Sequence, residues 1–198
     1  MRIRFDSRTK RFRLIPKKWD PRKRVAGRHD VRLDGMSDLL LRARDAKVLD
    51  VGCNRGLVGY EFANNGASLV HGVDYYEPGI VTAREIFNDI PAVSSRFEVA
   101  DLTKGPSAMA SALGSDYTEY DIVLLLAVDQ KLLRIVSQSV VDELMTDLAK
   151  RTKRYFAYRG FYPDNYEKLF EGLGLKRVHY SDLATKALGA PAVIWERQ

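Results

Sequence analysis

The segment K-V-L-D-V-G-C-N-R-G, Lys47 to Gly56, decides how this chain is read. Lys47 to Val51 reads as a short buried strand. Gly52 and Gly56 then let the backbone turn sharply and come close to a ligand, and the turn feeds a helical stretch from Leu57 that Asn64, Asn65 and Gly66 terminate. Asn54 stands where a third glycine would be common, and asparagine is among the residues that best tolerate a left-handed backbone. The whole is a strand, a glycine turn and a helix N-terminus.

Downstream the same alternation repeats. Leu69 to Asp74 reads as a second strand, with Pro78 at the first turn of a helix carrying Ile80, Ala83, Ile86 and Phe87. Phe97 to Ala100 gives a third strand, and Tyr120 to Val128 is apolar enough for the middle of a parallel sheet. A long helix carrying Leu132, Leu133, Val136, Val140, Leu144 and Leu148 follows. Then come a strand at Tyr155 to Tyr158, a short helix after Pro163, and strands near Leu175 to Tyr180 and Ala192 to Trp195. Upstream, Met36, Leu39, Leu40 and Ala43 fall on one helical face, with Asp34 or Ser37 as N-cap. These alternations predict an α/β fold: a doubly wound, mostly parallel sheet with helices on both faces and right-handed crossovers. The helix-free final link predicts an antiparallel strand at the edge.

With 198 residues, 45% of them hydrophobic, the chain can bury one full core, so we expect a single domain over 34–198 preceded by an arm over 1–33. The arm is strongly basic. Residues 1–32 hold 13 Lys and Arg against 3 Asp, a balance of +10, whereas the remaining 166 residues hold 19 against 23, a balance of −4. Phe5, Phe12 and Trp19 sit among those cations. The composition suits gripping the phosphates and bases of a nucleic acid, folding back as a lid, or a solvated tail. Cys53 is the sole cysteine, so no disulfide framework or cysteine-rich zinc cluster is expected, which fits a cytoplasmic protein. The longest apolar run, Ile122 to Val128, is too short to span a bilayer.

In an open α/β sheet the ligand lies beyond the carboxyl ends of the strands. After the first strand stands the glycine turn, with Asp50 two places before its first glycine and able to meet a positively charged amino-acid moiety. At the end of the second stands Asp74, 18 residues beyond Gly56, where a carboxylate accepts from both ribose hydroxyls. At the third stands Asp101, whose carboxylate suits the adenine amine while the Leu102 N–H meets a ring nitrogen. A dinucleotide motif fails, because counting from Gly52 the second and third glycine places hold Asn54 and Leu57, and no phosphate-cradling loop is present.

D-V-G-C-N-R-G, H-G-V-D-Y-Y, F-E-V-A-D-L and Y-D-I-V-L-L-L-A-V in this order resemble the class I, Rossmann-like S-adenosylmethionine-dependent methyltransferases, over about residues 34–160. The resemblance implies a seven-stranded sheet with a reversed last strand, S-adenosylmethionine as cofactor and S-adenosylhomocysteine as product. It implies a cofactor site of Asp50, Gly52, Cys53, Asn54 and Gly56 for the methionine part, Asp74 and Tyr75 for the ribose, Asp101 and Leu102 for adenine, and Ala127 near the reactive end. Cys53 also reads simply as a small packing residue.

Methyl transfer from a sulfonium is an in-line displacement, so positioning does most of the work and a base is optional. The candidates for one are Asp129, Lys131, Tyr158, Arg159 and His29. Asp129 leads them, with helix capping as its alternative role. Arg159 and Tyr158 suit binding an anionic acceptor or solvating the sheet edge. His71 and His179 read as structural, and no metal site is seen. We expect a small-molecule acceptor methylated on oxygen or nitrogen. RNA or DNA methylation using the basic arm, and a non-catalytic adenosylmethionine-binding module, are the alternatives.

Overall fold

The computed structural model describes residues 2–6, 11–15, 31–90, 92–182 and 189–198. Within the arm, β1 (Arg2–Asp6) and β2 (Arg11–Ile15) pair as an antiparallel hairpin that sets Phe5 opposite Phe12 and Arg4 opposite Arg13. Trp19 and the rest of the arm up to residue 30 lie outside the described residues.

From Lys47 onward, strands and helices alternate as their apolar periodicity dictates. β3 (Lys47–Val51) leads to α1 (Leu57–Asn64), β4 (Leu69–Asp74) to α2 (Glu77–Asn88), and β5 (Ser94–Val99) to α3 (Pro106–Leu113). β6 (Tyr120–Leu126) is followed by α4 (Asp129–Leu132) and α5 (Gln138–Arg151). β7 (Thr152–Arg159), α6 (Glu167–Gly172), β8 (Leu175–Ser181) and β9 (Ala192–Arg197) complete the chain. The sheet has seven strands in the order β5-β4-β3-β6-β7-β9-β8, with β9 antiparallel to both neighbours and the rest parallel. After β3 the chain steps outward through β4 and β5, then returns to β6 on the other flank of β3. The topological switch therefore lies between β3 and β6, the place where open α/β sheets take a ligand beyond the carboxyl ends of the strands.

Alternate residues of the central strands feed two cores. Leu49, Val51, Val123, Leu125, Phe156 and Trp195 pack beneath α3, α5 and α6. Val48, Val70, Ile122, Leu124 and Ala157 pack on the opposite face with Leu33, Met36, Phe62, Phe87 and Phe97. Phe170 packs tilted at 55° on Phe156 and meets Trp195 edge to face, with ring centroids 4.8 and 4.7 Å away. Full burial of each such side chain contributes about 1.5–3 kcal/mol before entropy is counted.

Three expectations are corrected. The stretch from Asp34 forms 3-10 turns, Val31–Leu33 and Ser37–Arg42, rather than one capped α-helix, and neither Asp34 nor Ser37 caps it: the N-cap position falls on Met36 with no side-chain bond. Gly35 breaks the helix at φ +81°, while Met36, Leu39 and Ala43 are still buried as their spacing requires. The long helix after β6 is two helices, because Ser137 takes an extended backbone (φ −68°, ψ 158°) before α5. The last strand is not at the edge: β9, with Trp195 fully buried, inserts between β7 and β8, and β8 is the edge strand, exposing Val178 and Tyr180. Apolar content explains this order, since an inner strand must bury both faces. Among the described residues, no helix is long and apolar enough to cross a membrane.

Gly72 of β4 marks a tight layer contact beneath the site. A Cβ there would stand 2.5 Å from two ring carbons of Phe97 and 2.9 Å from Cys53 Sγ. Gly72→Ala is expected to lower stability by about 1–3 kcal/mol, read from urea denaturation, with Phe97→Leu restoring part of the loss in the double variant.

Candidate functional site

The turn after β3 is built for a ligand to approach its backbone. Gly52, Asn54 and Gly56 all have positive φ, at +76°, +52° and +66°. At Gly52 the requirement is also spatial, because a Cβ would lie 2.4 Å from Val128 Cγ2. The N–H groups of Gly52 and Cys53 both reach the Val73 carbonyl, at 2.8 and 3.0 Å, which closes the turn onto β4. Asp50, nearly fully buried, accepts from the Gly59 N–H in the first turn of α1 at 3.3 Å, so a carboxylate sits at a helix N-terminus beneath the turn.

Asp74 ends β4 and is 6% exposed. Its Oδ2 accepts from the Asn54 N–H at 2.8 Å and its Oδ1 from the Tyr76 N–H at 2.9 Å. A carboxylate offers about four lone-pair sites, so two remain for outside donors such as a pair of vicinal hydroxyls. Tyr75, next in sequence, is 76% exposed. Asp101 is exposed and opens the 3-10 turn Leu102–Lys104. Its Oδ1 takes the Thr103 hydroxyl and N–H, bonds that lower its pKa, with the hydroxyl the stronger cause. Leu102 is buried beneath it. Burial, reinforced by the charges of Asp50 and Asp74, pushes the Cys53 thiol well above its ordinary pKa, which disfavours the thiolate a nucleophile needs.

On the other side of the crevice, Ala127 leaves β6 at φ +61°, its N–H held by the Arg159 carbonyl at 2.7 Å. Asp129 follows, 1% exposed, with Oδ2 accepting from the Tyr158 hydroxyl at 2.5 Å. Burial raises its pKa, opposed by bonds from Tyr158, the Gln130 N–H and Tyr166. Tyr158 is fully buried and crosses Tyr166 edge to face at 5.6 Å, and burial followed by the Asp129 charge raises its pKa too. Arg159 is likewise buried. Its guanidinium donates to the carbonyls of Ala190 (2.9 Å), Arg32 (3.3 Å) and Asp34, and burial lowers its pKa. Lys131 is exposed on α4. Among the described residues, no group of three or more His, Cys, Asp or Glu is placed to hold a metal ion.

No protein-family model matches the chain. Among curated proteins it is similar to the ubiquinone biosynthesis O-methyltransferase of Neisseria meningitidis serogroup C (strain 053442), 36% identical over 78 residues, which cover 36% of this chain and 31% of that one. The serogroup A counterpart matches at 35% identity over the same span. The chain thus matches about a third of the length of these relatives. Its fold superposes on magnesium protoporphyrin IX methyltransferase from Synechocystis PCC 6803 with bound SAM, TM-score 0.64 at 18% identity, covering 84% of this chain and 78% of that one. It also superposes on the 1,6-didemethyltoxoflavin-N1-methyltransferase of Burkholderia thailandensis, TM-score 0.63 at 14% identity, covering 86% and 79%. An amino pentose methyltransferase from Micromonospora echinaspora gives TM-score 0.58 at 15% identity, covering 87% and 93%. The chain has the class I S-adenosylmethionine-dependent methyltransferase fold.

Within this methyltransferase fold, the structure brings Asp50, the 52–56 turn, Asp74, Tyr75, Asp101, Leu102 and Ala127 to one edge of the sheet. It does not present Tyr158 or Arg159 to solvent, where a substrate-binding or edge-solvating role would need them, because both are buried and bonded to protein groups. Asp129 faces inward to Tyr158, and the N-cap position of its helix falls on Val128, which makes no side-chain bond. His29 lies outside the described residues. His71 is buried against the Tyr120 hydroxyl at 2.9 Å, and His179 meets the Gly35 carbonyl. Sequence reading missed Val128, which seats on Gly52, and Tyr166, which closes the cluster around Asp129. Neither carries a local signal, since both are defined by segments distant in sequence.

The Asp129 carboxyl has a folded pKa above its unfolded value, so the folded state holds that proton more tightly. Its contribution to stability is therefore present at low pH and lost as pH rises from about 3.9 through the folded value. Asp129→Asn removes this slope. Urea denaturation from about pH 4 to about pH 8 should show the variant gaining on the parent as pH rises, then a constant difference.

Proposed function

We propose that this protein transfers a methyl group from S-adenosylmethionine to an oxygen or nitrogen of a small-molecule acceptor. The observation that carries the reading is the joint geometry of the turn and Asp74: three left-handed positions within five residues, at Gly52, Asn54 and Gly56, before a helix N-terminus, tied by the Asn54 N–H to a strand-end carboxylate with lone pairs left over. Asp50 beneath the turn suits the ammonium of an amino-acid moiety. Asp74 suits the two ribose hydroxyls, and Asp101 with the Leu102 N–H suits adenine. When bound, the cofactor supplies an activated methyl group on a sulfonium.

The chain's own residues then have the task of positioning. Val128 over Gly52 fixes the separation between the turn and the end of β6, and Ala127 is locked by Arg159. The acceptor has to approach from beyond that edge, and holding it in line with the methyl group removes much of the barrier. The names of the similar proteins support small acceptors: ubiquinone biosynthesis, a magnesium porphyrin, 1,6-didemethyltoxoflavin and an amino pentose. The carbonyls of Arg32 and Asp34, where the arm 1–33 meets the domain 34–198, are bonded to Arg159 at this same edge, which supports use of the arm as a lid.

Calorimetric titration with S-adenosylmethionine and S-adenosylhomocysteine, against NAD and ATP as controls, tests the reading. Selective binding of the first pair is expected, and no binding of either refutes it. Asp74→Ala is expected to weaken S-adenosylhomocysteine at least about tenfold, about 1.4 kcal/mol, through the lost ribose bonds and the two orphaned N–H groups. Unchanged affinity removes Asp74 from the site.

A further inference from the structure

We propose that Arg159 is a positioning residue for the cofactor site, through which the placement of residues 32–35 sets the backbone at the end of β6 and with it the affinity for S-adenosylmethionine. The inference rests on the methyl-transfer reading above and adds to it a residue buried behind the site.

Arg159 ends β7 and is the last residue of that strand to pair on either side, with Leu126 of β6 and with Ala192 of β9. Beyond it both ladders stop, and its backbone and side chain close them. The carbonyl takes the Ala127 N–H at 2.7 Å. The side chain, 1% exposed, donates from Nη1 to the Ala190 carbonyl at 2.9 Å and from Nη2 to the carbonyls of Arg32 and Asp34. One residue thus fastens the start of the domain, the entry to β9 and the end of β6.

Ala127 is the sensitive end of this arrangement. At φ +61° it holds a left-handed backbone that a Cβ disfavours, and a residue keeps such a conformation only where its surroundings impose it. The bond to the Arg159 carbonyl supplies that constraint. From there the chain carries Val128 onto Gly52, where a Cβ would fall 2.4 Å from Val128 Cγ2, and turns Asp129 in to Tyr158. A shift of the Arg159 peptide is therefore passed to the gap between β6 and the 52–56 turn. At the opposite end Gly35, at φ +81°, has its carbonyl on His179, and a Cβ there would fall 2.7 Å from Ser181 Oγ, so residues 32–35 are held against β8 as well.

Stability alone does not account for a guanidinium here. Its Nε is buried without a partner, and a charge with one donor unmet is a costly filler for an apolar layer. What it supplies, and a methionine of similar length would not, is the link to two remote segments.

The test uses the full chain as Arg159→Met, Gly35→Ala and the two combined, with Phe170→Leu as a control in the core beneath α6. Urea denaturation establishes that each variant folds, calorimetry gives the Kd for S-adenosylhomocysteine, and hydrogen exchange read by NMR gives the protection of the Ala127 amide without ligand. Arg159→Met should raise the Kd about tenfold and lower the Ala127 protection about tenfold, and Gly35→Ala should raise the Kd about threefold. Because Gly35 acts through Arg159, the double variant should bind no more weakly than Arg159→Met alone. Phe170→Leu should leave the Kd unchanged. Should Arg159→Met fail to fold, Gly35→Ala decides by the same two readings. Folded variants that bind as the parent does, losses that multiply in the double variant, or a loss in Phe170→Leu equal to that in Arg159→Met overturn the proposal. Failure of the parent chain to bind S-adenosylhomocysteine overturns the underlying reading, and the proposal with it.

Discussion

The 2.8 Å bond from the Asn54 N–H to the Asp74 carboxylate is the constraint on which the rest of the site depends. It joins a turn that leaves β3 to the end of β4, and with the Val73 carbonyl contacts it leaves the turn a single position. A backbone at positive φ has few other ways to satisfy its N–H groups, and a buried donor without a partner costs about 1–3 kcal/mol. Asp74 therefore acts first on its own protein. A ligand meets a carboxylate that is already oriented, so little ordering remains to be done on binding.

From that bond the layering follows. The turn can sit so low only because α2 and β4 come close beneath it. A Cβ on Gly79 would be 2.8 Å from the Asn54 carbonyl, and one on Gly72 would strike Phe97. The small residues are distributed over three elements that meet at one place. The crevice is thus a property of the packing as much as of the motif, and this explains why it stands at the switch between β3 and β6 rather than elsewhere along the edge.

Legibility in the sequence tracks the range of the determining interaction. The buried parallel strands announce themselves because each must be apolar on both faces, so Lys47–Val51, Leu69–Asp74 and Tyr120–Leu126 were readable, as was the glycine turn. β5 was read short because it pairs on one side only and its first residues, Ser94 to Arg96, are at least partly exposed. Ser137 and Gly35 interrupt helical patterns that apolar spacing alone would continue, and the place of β9 was open to reading only by weighing its apolar content against that of β8. On the site, the strand-end acids were legible because strand ends are local. The inward turn of Asp129 was not, since Tyr158 and Tyr166 lie 29 and 37 residues away along the chain.

Arg159 shows how a charged residue at this edge is made structural. Burying a guanidinium among apolar neighbours is costly unless its donors are met, and here three carbonyls from two remote segments meet its two terminal nitrogens, leaving Nε without a partner: Arg32 and Asp34 before the sheet, Ala190 before β9. An ion pair would have left carbonyls of these irregular segments unsatisfied, whereas the planar fork serves several at once. The Gly35 carbonyl is taken separately by His179, and the missing Cβ of Gly35 makes room for Ser181. The result is a clip between the start of the domain, the end of β7 and the entry to β9, with the Arg159 backbone carbonyl fixing Ala127 on the same residue's other side. Any movement of residues 32–35 is thereby coupled, through one side chain and its own peptide, to the backbone at the end of β6.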